Sequence, residues 1–300
     1  MNNKLNGVRG DCLRAMSMNL VLVVGILLLC LNSVGAKKRV MSWLCLEFCE
    51  ETEDDVAMDM KQIERYKDVF SAVSFEKYTL GPNCTLLDNE LIPVSDDIQA
   101  LGLEAWPLLS SFPHYPEFID WMREVFASPQ VFIDQCVSEA AKYGYHGYNL
   151  DWEPTDDCTE QDGNDYATFI QTFAQGLHQN GLQLSVDYAG WSPIWNLTAI
   201  AESEADYIIS MSTYTSNDDS FTNSLNKLTA AVDLGRAGVG LETVNATDGT
   251  RISLDRVKWR FDQMTAAGVQ EVDLWRSPVP PLWMPIIAEW ALGGEDGNNV

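Results

Sequence analysis

A chain of 300 residues with 44 acidic side chains against 19 basic ones carries a formal net charge of −25, which repels nucleic-acid phosphates and anionic lipid headgroups and leaves neutral or cationic ligands as partners. Its 46% apolar content supports a sizeable core, and a complete (β/α)8 barrel fits within the length. From the start of the chain, residues 1–36 read as a signal peptide. Lys4, Arg9 and Arg14 form a basic leader, Leu20 to Leu31 is an apolar run short of a comfortable membrane span, and Val34-Gly35-Ala36 supplies small residues for cleavage. An uncleaved anchor is the alternative. Cleavage would give a secreted or lumenal protein, extracellular or in a lysosome- or vacuole-like compartment, with no membrane attachment after signal removal.

Cys45, Cys49, Cys84, Cys136 and Cys158 allow up to two disulfides in an oxidising compartment, with a pairing that spacing does not reveal. His114, His146 and His178 have no partner at ligand spacing, so no metal is expected. Sequons at Asn83, Asn196 and Asn245 would mark exposed loops of a glycoprotein.

Residues 37–300 alternate short β-rich runs with helical patterns and contain no low-complexity linker. Strands are expected at Val40–Phe48, Val69–Phe75 and Ala100–Leu109, with a helix from Thr52 to Lys67 and, between Gly81 and Asp97, at most a short helix. A helical region from Pro116 to Tyr143, broken near Ser128-Pro129, leads into a fourth strand at Tyr145–Pro154. Helices at Asp165–Gln179, Leu197–Ser203, Ser220–Asp233 and Leu254–Ala267 then alternate with strands at Leu182–Tyr188, Ala205–Met211, Ala237–Leu241 and Val269–Trp275. A helix at Pro281–Leu292 precedes a Gly- and Asn-rich tail expected to be mobile. Eight such repeats favour a closed, parallel, single-domain α/β barrel over a doubly wound sheet, which uses the same rhythm.

The fourth strand is unusual in placing polar groups inside an apolar run. Asn149, Asp151 and Glu153 fall at alternate positions, hence on one face of a strand. Asp151 and Glu153 would stand about 6.5–7 Å apart, where ionising one raises the pKa of the other and the pair can divide acid and base work. Other strand ends carry Glu104 and Trp106, Asp187 and Tyr188, Met211 and Tyr214, Glu242, and Trp275, while Trp191 and Trp195 follow the fifth strand in a loop. Each alone reads equally as core or loop packing; together around one rim they describe an aromatic cleft suited to sugar rings.

The stretch His146-Gly147-Tyr148-Asn149-Leu150-Asp151-Trp152-Glu153 resembles the D-G-x-D-x-D-x-E signature of glycoside hydrolase family 18, and its asparagine is similar to the di-N-acetylchitobiase branch. Met211-Ser212-Thr213-Tyr214 resembles the family's M-x-Y-D, and Trp275 the tryptophan that floors its sugar site. The resemblance implies substrate-assisted, retaining hydrolysis of β-1,4-linked N-acetylglucosamine, in chitin or chito-oligosaccharides. Glu153 would be the general acid, Asp151 would orient the substrate acetamido group, and Tyr214 would bond its oxygen. Met211 and Trp275 would shape the pocket, and Asn149 would support Asp151 from beneath. Trp106, Asp187, Trp191 and Glu242 complete the expected substrate-binding set. No cofactor is implied; the partner is an N-acetylglucosamine-containing glycan, and a monomer is expected. His146 and Asn149 stand where the family carries aspartates, so proton sharing would run through Asp151 and Glu153 alone, with an altered pH profile. The short connection between strands seven and eight leaves no room for an added lobe and suggests an open groove and internal cleavage. An endo-N-acetylglucosaminidase acting on N-glycan cores and a chitinase-like lectin are the competing readings.

Overall fold

The computed structural model describes residues 37–154, 158–244 and 249–293. The stretch 1–36 expected to be a signal peptide, the sequon at Asn245 and the tail from 294 onward lie outside those residues. Eight parallel strands close into a barrel: β1 (Arg39–Leu44), β2 (Ala72–Gly81), β4 (Glu104–Ser110), β5 (Gly147–Asp151), β6 (Gln183–Tyr188), β7 (Tyr207–Ser210), β8 (Ala237–Glu242) and β9 (Glu271–Trp275). Each pairs with the next, and β1 pairs with both β9 and β2 to complete the ring. Strand β3 (Thr85–Asp88) runs antiparallel to the end of β2 as a hairpin outside the ring.

Nine helices are described: α1 (Glu53–Arg65), α2 (Ser95–Ala100), α3 (Phe118–Ala127), α4 (Gln130–Tyr143), α5 (Glu160–His178), α6 (Leu197–Ala201), α7 (Asp218–Ala231), α8 (Leu254–Ala267) and α9 (Met284–Leu292). None of the described helices is long and apolar enough to cross a membrane. The α3–α4 break falls at Ser128-Pro129, as expected where a proline ring opposes a continuing helix. Helix α5 begins five residues before the expected Asp165. Its first turn is polar, so the apolar period becomes visible only at Tyr166, but a capping box between Thr159 and Asp162 fixes the start.

Strand β1 ends at Leu44, short of the expected Phe48, and β2 and β4 differ from expectation, each for its own reason. The Glu76-Lys77 pair looks like the solvated end of a strand, yet β2 continues to Gly81. Lys77 is held by Asp88 across the hairpin at 2.7 Å, and Glu76 turns inward. The segment Ala100–Gly102 ends α2 with a left-handed glycine, which moves the start of β4 to Glu104.

The outer face of β5 fixes its register. Trp152, fully buried, stacks on Phe169 of α5 at 5.2 Å and meets Phe132 of α4 edge-on at 5.7 Å. A slip of one residue would bring Asp151 into that aromatic layer, so Asn149, Asp151 and Glu153 are held toward the axis. Gly147 opens the strand because a Cβ there would meet the Gln183 carbonyl at 2.3 Å and the Trp106 ring at 2.9 Å.

The barrel axis is polar over much of its length. At the base, Arg39 of β1 reaches Glu104 of β4 at 3.1 Å and bonds Glu271 of β9, and it stacks on Trp106 and on Tyr207 of β7. One level up, Asn149 bridges Ser74 of β2 at 3.2 Å and Ser185 of β6 at 3.1 Å. Strands that are not neighbours in the sheet meet through these side chains, which places them inside the ring.

Candidate active site

The inner face of β5 delivers Asp151 and Glu153 to the C-terminal rim of the barrel, where barrels of this kind build their sites. The Glu153 backbone N–H donates to Ser111 Oγ at 3.1 Å, tying the end of β5 to the loop after β4. Above them lies a cavity of about 330 Å³, bordered by Asp151, Glu153, Met211, Tyr214, Glu242 and Trp275, with Trp191 on one lip. That size lies at the lower end of the roughly 300–1,000 Å³ typical of ligand pockets.

Tyr214 and Trp275 stack, with ring centroids 6.1 Å apart. Gly240 on β8 makes room for them, since a Cβ there would lie 2.8 Å from the tyrosine ring. Trp191 is 61% exposed and packs edge-on against Trp195, which is buried and serves as its support rather than as a platform.

Four features of the cavity were not singled out from sequence. A disulfide between Cys45 and Cys49 closes the loop after β1, and Phe48 within that loop packs against Trp275 at 6.1 Å and Phe112 at 5.6 Å. Ser110 and Ser111 end β4 beside the acid. Glu76 enters from β2 and accepts backbone hydrogen bonds from Glu47 at 2.5 Å and Phe48 at 3.2 Å. The charged pair that hid the continuation of β2 also hid Glu76. Cys84 and Cys136 are buried thiols, and Asn83 is exposed, whereas Asn196 caps α6 and donates its side-chain amide to Asn164.

Among the described residues no lysine or arginine borders the cavity, and no cation figures among the groups that shift Asp151, Glu153 and Glu76. Burial raises Glu153 above the usual glutamate range. Burial, then the charges of Glu153 and Glu76, hold Asp151 well above the usual aspartate range. Glu76 is pushed up to about 7 by burial, against the pull of its backbone donors. The Tyr214 hydroxyl is raised by burial and by Asp187, Asp151, Asp273 and Glu242, so it remains a donor. Among the described residues, no group of His, Cys, Asp and Glu side chains is arranged to hold a metal ion.

Several expected placements are corrected. Trp106 does not border the cavity: because β4 starts at Glu104, both residues sit at the base, where Trp106 is fully buried and its Nε1–H donates to Glu104 at 3.0 Å. Asn149 is fully buried below the cavity and bonds Ser74 and Ser185, not Asp151. Asp187 is also fully buried and faces the axis beneath the cavity instead of lining it. His146 is exposed at the start of β5, at the far end of the strand from Glu153. It belongs to no buried chain. Asp151 and Glu153 are also not the only carboxyl groups enclosed here, because Asp187 of β6 and Asp273 of β9 bring two further buried ones to the axis.

No protein-family model and no curated protein matches the sequence. Among solved structures, the fold is similar to that of a chitinase from Chromobacterium violaceum (16% identity over 84% of this chain and 98% of that one, TM-score 0.69). It is also similar to the spore cortex-lytic enzyme SleL of Bacillus megaterium (11% identity, 85% and 74% covered, TM-score 0.70) and to a glycoside hydrolase family 18 chitinase from Pseudoalteromonas aurantia (11% identity, 84% and 99% covered, TM-score 0.63). At these identities the likeness is one of fold: this chain has the barrel on which those enzymes are built.

Proposed function

We propose that this protein is a secreted glycosidase that cleaves β-1,4-linked N-acetylglucosamine in chitin or chito-oligosaccharides, with help from the substrate's own acetamido group. The observation that carries the reading is the joint placement of Glu153, Asp151 and the Tyr214–Trp275 stack around one cavity. Glu153, kept protonated by burial, gives its proton to the glycosidic oxygen and then takes one from the attacking water. The acetamido oxygen attacks the anomeric carbon as the leaving bond breaks, and positive charge spreads over the ring it forms. Asp151 orients that group, the Glu153 carboxylate left after proton transfer faces the charge, Tyr214 donates to the acetamido oxygen, and Trp275 carries the apolar face of the sugar. The chain's overall negative charge suits a neutral glycan whose reaction passes through a cation.

The connection from β8 to β9 holds a single described helix, α8, so on this side the groove is open and accommodates internal cleavage of a chain. The same opening would admit an N-glycan core, the second reading. The test is hydrolysis of fluorogenic chitobiose, chitotriose and high-mannose glycopeptide substrates by the mature protein and by Glu153→Gln. A fall in kcat of about 10³-fold in the variant is expected. Equal turnover in the two proteins would overturn the assignment of the acid, and binding without turnover by the wild type would identify a lectin.

A further inference from the structure

Below the cavity lies a carboxyl group that the reaction outlined above does not use. Asp187 is fully buried, and neither of its oxygens has a hydrogen bond of good geometry. The register that pairs Leu150 with Val186 continues one step to set Asp151 beside Asp187 on adjoining strands, about 4.8 Å apart, with both side chains turned to the axis. Asn149, one level lower on β5, bonds Ser74 and Ser185 and also turns its amide toward Asp187, while Asp151 Oδ1 has no partner. The groups facing the pair are Glu153, Glu76, Tyr166 and Tyr214 toward Asp151, and Glu153, Asp273, Tyr166 and Tyr214 toward Asp187; none of these is a cation. Two enclosed carboxylates side by side do not both ionise.

We propose that Asp151 and Asp187 share one proton across the β5–β6 register, which makes Asp187 the positioning residue that sets the charge and orientation of Asp151. This rests on the functional reading above and deepens it. The pair holds one proton and one negative charge throughout. When Glu153 loses its proton to the leaving oxygen, the shared proton moves from an Asp187 oxygen to an Asp151 oxygen, and the negative charge shifts away from the new Glu153 carboxylate. When Glu153 regains a proton from water, the movement reverses. A carboxyl group on the neighbouring strand thus does what one at position 149 would do.

Asp187→Asn keeps the shape and removes the acid. In this variant kcat is expected to fall roughly 100-fold with KM little changed, the size seen when an outer group that sets another's proton is lost. The alkaline limb of its pH–rate profile moves to higher pH, because the charge on Asp151 can no longer withdraw to Asp187 and Glu153 holds its proton more tightly. Infrared difference spectra at neutral pH should show one protonated carboxyl fewer than the wild type. Moving the acid back to β5, in Asn149→Asp/Asp187→Asn, should recover about tenfold of the lost rate, which a merely structural role would not do. Asp187→Ser serves in the same measurements if the asparagine variant does not fold. Wild-type kcat and pH profile in Asp187→Asn, or an unchanged infrared band, would overturn the proposal. The infrared reading needs no substrate, so it decides the proton pair even if the wild type cleaves none of the glycans and the functional reading fails.

Discussion

The two ends of this barrel bury carboxyl groups under opposite terms. At the base, Glu271 and Glu104 close on the Arg39 guanidinium, itself sandwiched by Trp106 and Tyr207, so charge meets charge inside the fold. At the rim, Asp151, Glu153 and Glu76 converge on a cavity that no lysine or arginine borders among the described residues. The base is a finished ion cluster that holds strands β1, β4 and β9 together. The rim holds proton-loaded acids in surroundings where an arriving positive charge would be welcomed, as expected of a site that stabilises a cationic transition state.

Removing the cation from the base should have the largest effect on stability. Arg39→Met leaves Glu271 and Asp273 buried without a counter-charge and should cost about 3–5 kcal/mol in urea unfolding at neutral pH, and less in acid, where the carboxyl groups are protonated. A cost that does not change with pH would show that Arg39 acts through packing alone.

The rim should respond in the opposite sense. Folding raises Glu76 from 4.5 to about 7, so the folded state holds this proton more tightly than the unfolded chain, and the resulting stability is lost as pH rises through about 7. Glu76→Gln should therefore be the more stable protein above that pH, by up to about 3 kcal/mol, and match the wild type below pH 4.5. Melting curves at the two pH values check this; a variant destabilised at both would place Glu76 in a charged hydrogen-bond network instead. The smallest effect is expected at the lip. Trp191→Ala should raise KM for chitotriose about fivefold, with kcat nearly unchanged, because the exposed indole contributes stacking of roughly 1 kcal/mol to ground state and transition state alike.

The barrel was legible because each short β-rich run is followed by a helical period or a short substitute. Asp151 and Glu153 were legible through alternation alone, and Trp152 between them is what makes that alternation structural. The misplacements have physical causes. Trp106 depends on where β4 starts, which a left-handed turn at Gly102 decides and hydrophobic pattern does not. Glu76 was hidden by the lysine beside it, whose partner Asp88 lies on a hairpin with little pattern of its own. His146 and Asn149 looked like losses to a buried chain because a motif is read along one strand, whereas Asp187 and Asp273 arrive from others. Cross-strand register is the part of the site a single sequence does not display.

The most direct test of the central claim compares two fluorogenic disaccharides that differ only at the reacting sugar's C2, one with an acetamido group and one with a hydroxyl. The account predicts that the wild type cleaves the acetamido substrate alone and that Glu153→Gln abolishes this cleavage. Comparable cleavage of both substrates by the wild type would contradict it.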